Sequence, residues 1–158
     1  MRIGLLATLR DEIQALPRFF SLLEELEADP IVERLFCSFY ENDSSDETPE
    51  CLSAWLRHRP GILQSERLGA PRLRGREISR TMRMAEARNK ALAGFADERL
   101  DWLVVMDADL HATPSHIWQL IEVLQRGRGV AMACASALQN IPDIFGRSPW
   151  SYYDSYAL

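Results

Sequence analysis

The chain has 158 residues, enough for one domain with a hydrophobic core of its own. Its 47% hydrophobic and 26% charged residues are ordinary for a folded protein and exclude a disordered or collagen-like chain. The net charge of −5 gives no general pull toward nucleic acid or an anionic membrane, although Arg67, Arg72, Arg74, Arg76, Arg80, Arg83, Arg88 and Lys90 crowd one stretch.

Residues 3–7 form a compact apolar run and read as a first strand; the start of the chain is too short in apolar length for a signal peptide. A polar turn, Thr8-Leu9-Arg10-Asp11-Glu12, leads into residues 13–27. There Leu16, Phe19, Phe20, Leu22, Leu23 and Leu26 recur at helical spacing. Ala28-Asp29-Pro30 ends that helix, and residues 33–40 read as a second strand. The acidic segment Glu41-Asn42-Asp43-Ser44-Ser45-Asp46-Glu47-Thr48 is too polar for a core. It leads into a helix over 48–59, with Asp46 or Thr48 as the cap and Pro49 at the first helical position. Residues 61–66 suit a short third strand, and 68–76 a loop rich in glycine and proline.

A helix is expected over 78–95, a buried strand over 100–106, a helix over 114–125 and a further buried strand over 130–135. Residues 139–153, with Pro142, Gly146 and Pro149, read as irregular. Strands alternating with helices predict an α/β, Rossmann-like, mostly parallel sheet with helices on both faces. Cys37, Cys51 and Cys134 are odd in number and form no CxxC, so neither a disulfide scaffold nor a zinc site is indicated. Cys37 and Cys134 are expected as small core residues. Reduced thiols point to a cytoplasmic setting. No apolar run approaches the ~18 residues of a transmembrane segment.

The most informative motif is Asp107-Ala108-Asp109, directly after the apolar run Trp102-Leu103-Val104-Val105-Met106. Residues i and i+2 of a strand share a side, so both carboxylates can converge on one hard cation or one set of hydroxyls. The C-terminal end of a central strand is also where open α/β sheets bind ligands. The plain alternative is a solvated turn.

Glu41 and Asp43 stand after strand two, where an acid can accept hydrogen bonds from a ribose or base; capping the next helix is the alternative. Arg88 suits bidentate contact with phosphate, or a surface ion pair. His111 lies two residues past Asp109; a metal ligand is one reading, and a surface or packing histidine is the commoner one. No P-loop, G-x-G-x-x-G or G-x-S-x-G occurs. The arginine-rich stretch lacks aromatic side chains for base stacking, so nucleic acid is not an expected partner.

In this order the motifs resemble the nucleotide-sugar-binding half of a GT-A fold glycosyltransferase related to family 2. More narrowly, they resemble the fungal mannan-polymerase and capsule-associated α-1,3-mannosyltransferase families. The closing Tyr152-Tyr153-Asp154-Ser155-Tyr156-Ala157-Leu158 is similar to a segment of the capsule group. The resemblance spans essentially the whole chain and implies a single GT-A-like domain over 1–158, open to truncation at its C-terminus.

It implies a metal-dependent transferase that moves a sugar from a nucleoside-diphosphate sugar, GDP-mannose among them, to a glycan or polysaccharide acceptor. Thr8, Arg10, Glu41, Asp43, Arg88 and Asp107 would contact the donor. Asp107 and Asp109 would bind Mn²⁺ or Mg²⁺; of the late carboxylates, Asp154 or Asp143 could be proposed as a catalytic base. A non-catalytic nucleotide-sugar-binding module and a sugar nucleotidyltransferase are the alternatives.

Overall fold

The computed structural model describes residues 1–71, 78–135, 138–140 and 150–152. It divides into two compact units, Met1–Pro114 and Ser115–Leu158. The first holds a four-stranded sheet in the order β3-β2-β1-β4, built from β1 (Arg2–Leu9), β2 (Arg34–Asn42), β3 (Gly61–Glu66) and β4 (Trp102–Val105). Every pairing is parallel. Helices α1 (Leu16–Glu27), α2 (Thr48–Leu56) and α3 (Ile78–Ala93) connect the strands, giving the α/β, Rossmann-like arrangement expected from the alternation.

Residue parity sorts the two faces. Ile3, Leu5, Ala7 and Leu9 of β1 are buried, as are Leu35, Cys37 and Phe39 of β2. On that face Phe39 meets Phe19 of α1 at 5.8 Å and Trp55 of α2 at 6.0 Å between ring centroids. On the opposite face Leu6, Phe36 and Tyr40 pack with Ala91 of α3 and with Phe95 just beyond it. The Ser38 hydroxyl donates to the Ala91 carbonyl at 2.6 Å. The backbone approaches so closely there that a Cβ on Gly94 would lie 2.3 Å from Ser38 Oγ. Burial pushes the Cys37 thiol up to about 12, so it packs as a small apolar group rather than acting as a nucleophile.

Several expectations are corrected. α1 starts at Leu16 rather than Ile13. The Glu12 and Ile13 amides are instead donated to Thr48 and Asp46 of the neighbouring loop. α2 ends at Leu56. β4 is shorter than predicted and only half-buried on one side, at Trp102 and Val104, with Leu103 43% and Val105 51% exposed on the other. It is the outer strand of the described sheet, and a continuous apolar run does not by itself guarantee two covered faces.

In the second unit α4 (Pro114–Arg126) forms as expected. Residues 130–135 form no strand; Met132 is 76% exposed and Cys134 is exposed, not core. An apolar run becomes a strand only where another backbone pairs with it, and among the described residues none does so here. Within the stretch expected to be irregular, β5 (Leu138–Asn140) pairs antiparallel with β6 (Trp150–Tyr152). Among the described residues no helix is long and apolar enough to cross a membrane.

Candidate functional site

The chain runs outward from β1 to β2 and β3, then returns to place β4 on the other side of β1. Strand order therefore reverses between β1 and β4. Open α/β sheets take ligands in the crevice outside the carboxyl ends of strands at such a point. The last pair in the β1–β4 ladder is Leu6↔Val105, so two residues further along stand Thr8 on one strand and Asp107 on the other. Thr8 is half-buried.

The D-x-D segment is set by alternation. Met106 donates its amide to the Leu6 carbonyl at 3.1 Å, extending the ladder. Met106 and Ala108 are buried, which leaves Asp107 half-exposed and Asp109 exposed. The Leu110 amide donates to the Asp107 carbonyl at 3.3 Å and closes a turn. Arg88 reaches from α3 to place Nη2 3.5 Å from Asp107 Oδ1. Arg18, from the first turn of α1, donates from Nη2 to the Asp109 carbonyl at 2.8 Å. Arg10 donates from Nη1 to the Ala70 carbonyl at 3.0 Å. The Nε atoms of Arg10 and Arg18 are buried and make no hydrogen bond among the described residues. Among those residues no group of three His, Cys, Asp or Glu could hold a metal.

The acids of the β2 edge are placed differently. Strand β2 runs two residues further than predicted, to Asn42, and carries Glu41 into the protein. Glu41 is 1% exposed. Its Oε1 accepts the Ser44 amide at 2.8 Å and its Oε2 the Ser65 hydroxyl at 2.5 Å. Asp43, at φ 57°, accepts amides from Leu68 (2.7 Å), Gly69 (2.8 Å) and Ala70 (3.3 Å) and the Asn42 side-chain amide (3.0 Å). Burial works upward on the Asp43 carboxyl, but the donors from Asn42 and the three amides outweigh it and hold its pKa below the usual value. Both carboxylates thus brace the loops around the crevice.

The loops after β1 and β2 are also joined to each other. Asp11 Oδ1 accepts the Ser45 amide (2.6 Å) and hydroxyl (2.9 Å), and Ser44 Oγ accepts the Asp11 amide (3.0 Å). Asp46 accepts the amides of Ile13 (3.2 Å) and Thr48 (3.0 Å). Asp46 thereby satisfies one free amide at the α2 terminus, as expected from the sequence, while Glu47 occupies the capping position without a side-chain bond.

At the far end of β3, Lys90 of α3 pairs with Glu66, and the Tyr40 hydroxyl donates to Glu66 Oε2 at 2.9 Å. The bond from Lys90, then those from Gln64 and Tyr40, hold the Glu66 carboxyl below its ordinary 4.5. The bond to Glu66, then that to Tyr40, hold Lys90 above its ordinary 10.5. A depressed acid contributes stability above its unfolded pKa and loses it as pH falls through the folded value. A raised base contributes below its unfolded pKa and loses it as pH rises through the folded value. We expect Lys90→Met to remove part of the pH dependence of urea stability at both ends, below about 4.5 and above about 10.5. The pair is partly exposed, so the effect should shrink in high salt. Superimposable stability–pH curves for wild type and variant would show that the pair contributes nothing.

The structure thus brings Thr8, Arg88, Asp107 and Asp109 to the carboxyl ends of β1 and β4, while Arg10 reaches toward Ala70 and Glu41 and Asp43 hold the loops after β2 and β3. Asp143 and Asp154 lie outside the described residues, as do Arg72, Arg74 and Arg76. Arg18 was not anticipated. Its signal in the sequence is a cation in the first turn of a helix, where the macrodipole makes positive charge unfavourable by about 0.3–1 kcal/mol.

The family model described as Cryptococcal mannosyltransferase 1 matches residues 2–158. No curated protein matches the chain. Among solved structures, the crystal structure of S. aureus TarS 1–349 is 13% identical at a TM-score of 0.50, over 88% of this chain and 41% of that one. A structure titled "Crystal Structure of a Mycobacterial Protein" is 21% identical at a TM-score of 0.48, over 82% of this chain and 38% of that one. The chain therefore spans about two fifths of the length of these solved structures. The likeness to TarS concerns the fold.

Proposed function

The chain belongs to the Cryptococcal mannosyltransferase 1 family, and from that membership we propose that it binds a nucleoside-diphosphate sugar in the β1/β4 crevice and transfers the sugar to a glycan or polysaccharide acceptor. The family's description favours mannose as the sugar, and we propose GDP-mannose as the donor. The observation that carries the reading is the pair Asp107 and Asp109, presented outward at the strand-order reversal with Arg88 beside them.

Mn²⁺ or Mg²⁺ fits this donor set. Hard cations take oxygen ligands, and Mg²⁺ in particular is commonly held by one or two carboxylates together with substrate phosphates. Asp107 and Asp109 would hold it, and when bound it supplies Lewis-acid stabilisation of the departing diphosphate. Arg88 pairs with Asp107, and its planar fork is suited to the diphosphate oxygens of a donor. Thr8 and Arg10, at the end of β1 and in the loop after it, would meet the donor from that side. Glu41 and Asp43 act on the donor through the loops they hold.

Isothermal titration of the full chain with GDP, UDP and other nucleoside diphosphates, with and without Mn²⁺, tests the reading. Mn²⁺-dependent binding of at least one is expected, with GDP preferred. A folded sample that binds none refutes it. Binding of GDP-mannose with neither transfer nor hydrolysis would favour a non-catalytic binding module.

A further inference from the structure

Arg18 has no place in the motifs that define the crevice, yet it touches the D-x-D turn directly. It lies in the first turn of α1, beside Pro17, and that turn carries no acidic residue to offset its charge. A cation is disfavoured at that helix end, so sequence-local physics gives no reason for it. The contact it makes is distant in sequence: Nη2 donates to the main-chain carbonyl of Asp109 at 2.8 Å across a separation of 91 residues. Arg88 behaves differently, since it takes the Asp107 carboxylate itself.

We propose that Arg18 is a positioning residue for Asp109. It grips the main chain of the D-x-D turn and leaves the Asp109 carboxylate free to face a cation. The inference rests on the reading of the crevice as a donor site. Among the described residues the turn is otherwise closed by the Leu110–Asp107 main-chain bond at 3.3 Å. α1 is a firm anchor for this grip, because Leu16, Phe19, Leu22, Leu23 and Leu26 are buried. A carboxylate on an exposed turn loses conformational freedom when it binds a cation, and Arg18 removes part of that cost beforehand. Groups that orient a metal ligand without touching the metal commonly contribute about 10–100-fold in metal affinity.

The test compares wild type, Arg18→Met, Arg18→Gln and Arg18→Lys by titration with GDP in Mn²⁺ and in EDTA, alongside thermal melting. In Arg18→Met the Mn²⁺-dependent affinity should fall about 10–100-fold. Lysine, which keeps one donor and the charge, should recover part of it. Any binding in EDTA should be unchanged, which a merely structural role or a direct phosphate contact would not allow. Should Arg18→Met not fold, Arg18→Gln carries the same expectation. Wild-type Mn²⁺-dependent binding with unchanged affinity in the folded variants overturns the positioning role alone. Parallel losses in Mn²⁺ and in EDTA also overturn it. Absence of Mn²⁺-dependent binding in wild type overturns the donor-site reading and this inference with it.

Discussion

Asp109→Ala should abolish Mn²⁺-dependent binding of a nucleoside diphosphate while leaving the fold intact. The Asp109 side chain is exposed, and among the described residues its carboxylate makes no hydrogen bond or ion pair; the recorded contact of this residue is through its main chain, to Arg18. Removing the carboxylate therefore costs little stability, within about 0.5 kcal/mol for a surface position of this kind. Its expected cost to binding is large because the pair has no third partner among the described residues. Groups that only orient a metal ligand already contribute about 10–100-fold, so loss of the ligand itself should exceed about 100-fold. Titration with GDP and Mn²⁺ measures the first effect and urea unfolding the second. Wild-type affinity in Asp109→Ala would remove this residue from the site. Asp107→Ala is a less selective probe, because it also strips Arg88 of its partner.

The second large effect is expected in stability. Glu41→Ala should destabilise the protein by about 1–3 kcal/mol, the cost of leaving the buried Ser44 amide without a partner. Glu41 satisfies the Ser44 amide and the Ser65 hydroxyl from a site that is 1% exposed. Alanine leaves the Ser44 amide unpaired and opens a void between β2, β3 and the loop after β2, while the Ser65 hydroxyl, on an exposed residue, can turn to water. Glu41→Gln should cost much less, since its oxygen can still accept from Ser44 and the Ser65 hydroxyl can turn to accept from the new amide. Urea unfolding of the two variants measures the difference. Equal stability of Glu41→Ala and wild type, with loss of donor binding, would show that Glu41 meets the ligand rather than bracing the loop.

Glu41 also shows how far a local pattern reaches. Leu35, Cys37, Phe39 and Glu41 share one parity, and the first three are plainly core residues. The alternation thus contained the fact that Glu41 points inward, provided the strand continues to Asn42. That continuation depends on β3: the ladder pairs Glu41 with Ser65 and Asn42 with Glu66. Polar composition alone marked 41–48 as a turn, and the turn begins only once β3 has no more backbone to offer. The same reasoning applies in reverse to residues 130–135. Their apolar run suggests a strand, but among the described residues no neighbouring backbone pairs with it.

What the sequence determined by itself is what short-range physics controls. Hydrophobic period set the strands and helices of the first unit and their alternation, and so the parallel sheet. Two carboxylates spaced by one residue after an apolar run set the D-x-D at a strand end. What only the tertiary structure decided is which polar groups remain available to a ligand. Asp43 is taken up by amides about 25 residues away and Glu41 by Ser44 and Ser65, whereas Asp107 stays half-exposed in a 3.5 Å pair with Arg88. Among the described residues the Asp109 carboxylate makes no hydrogen bond or ion pair, and its main chain is held by Arg18 from 91 residues away. A hydrogen bond is decided by distance and direction in space, and no pattern within one segment encodes the partner that folding brings to it.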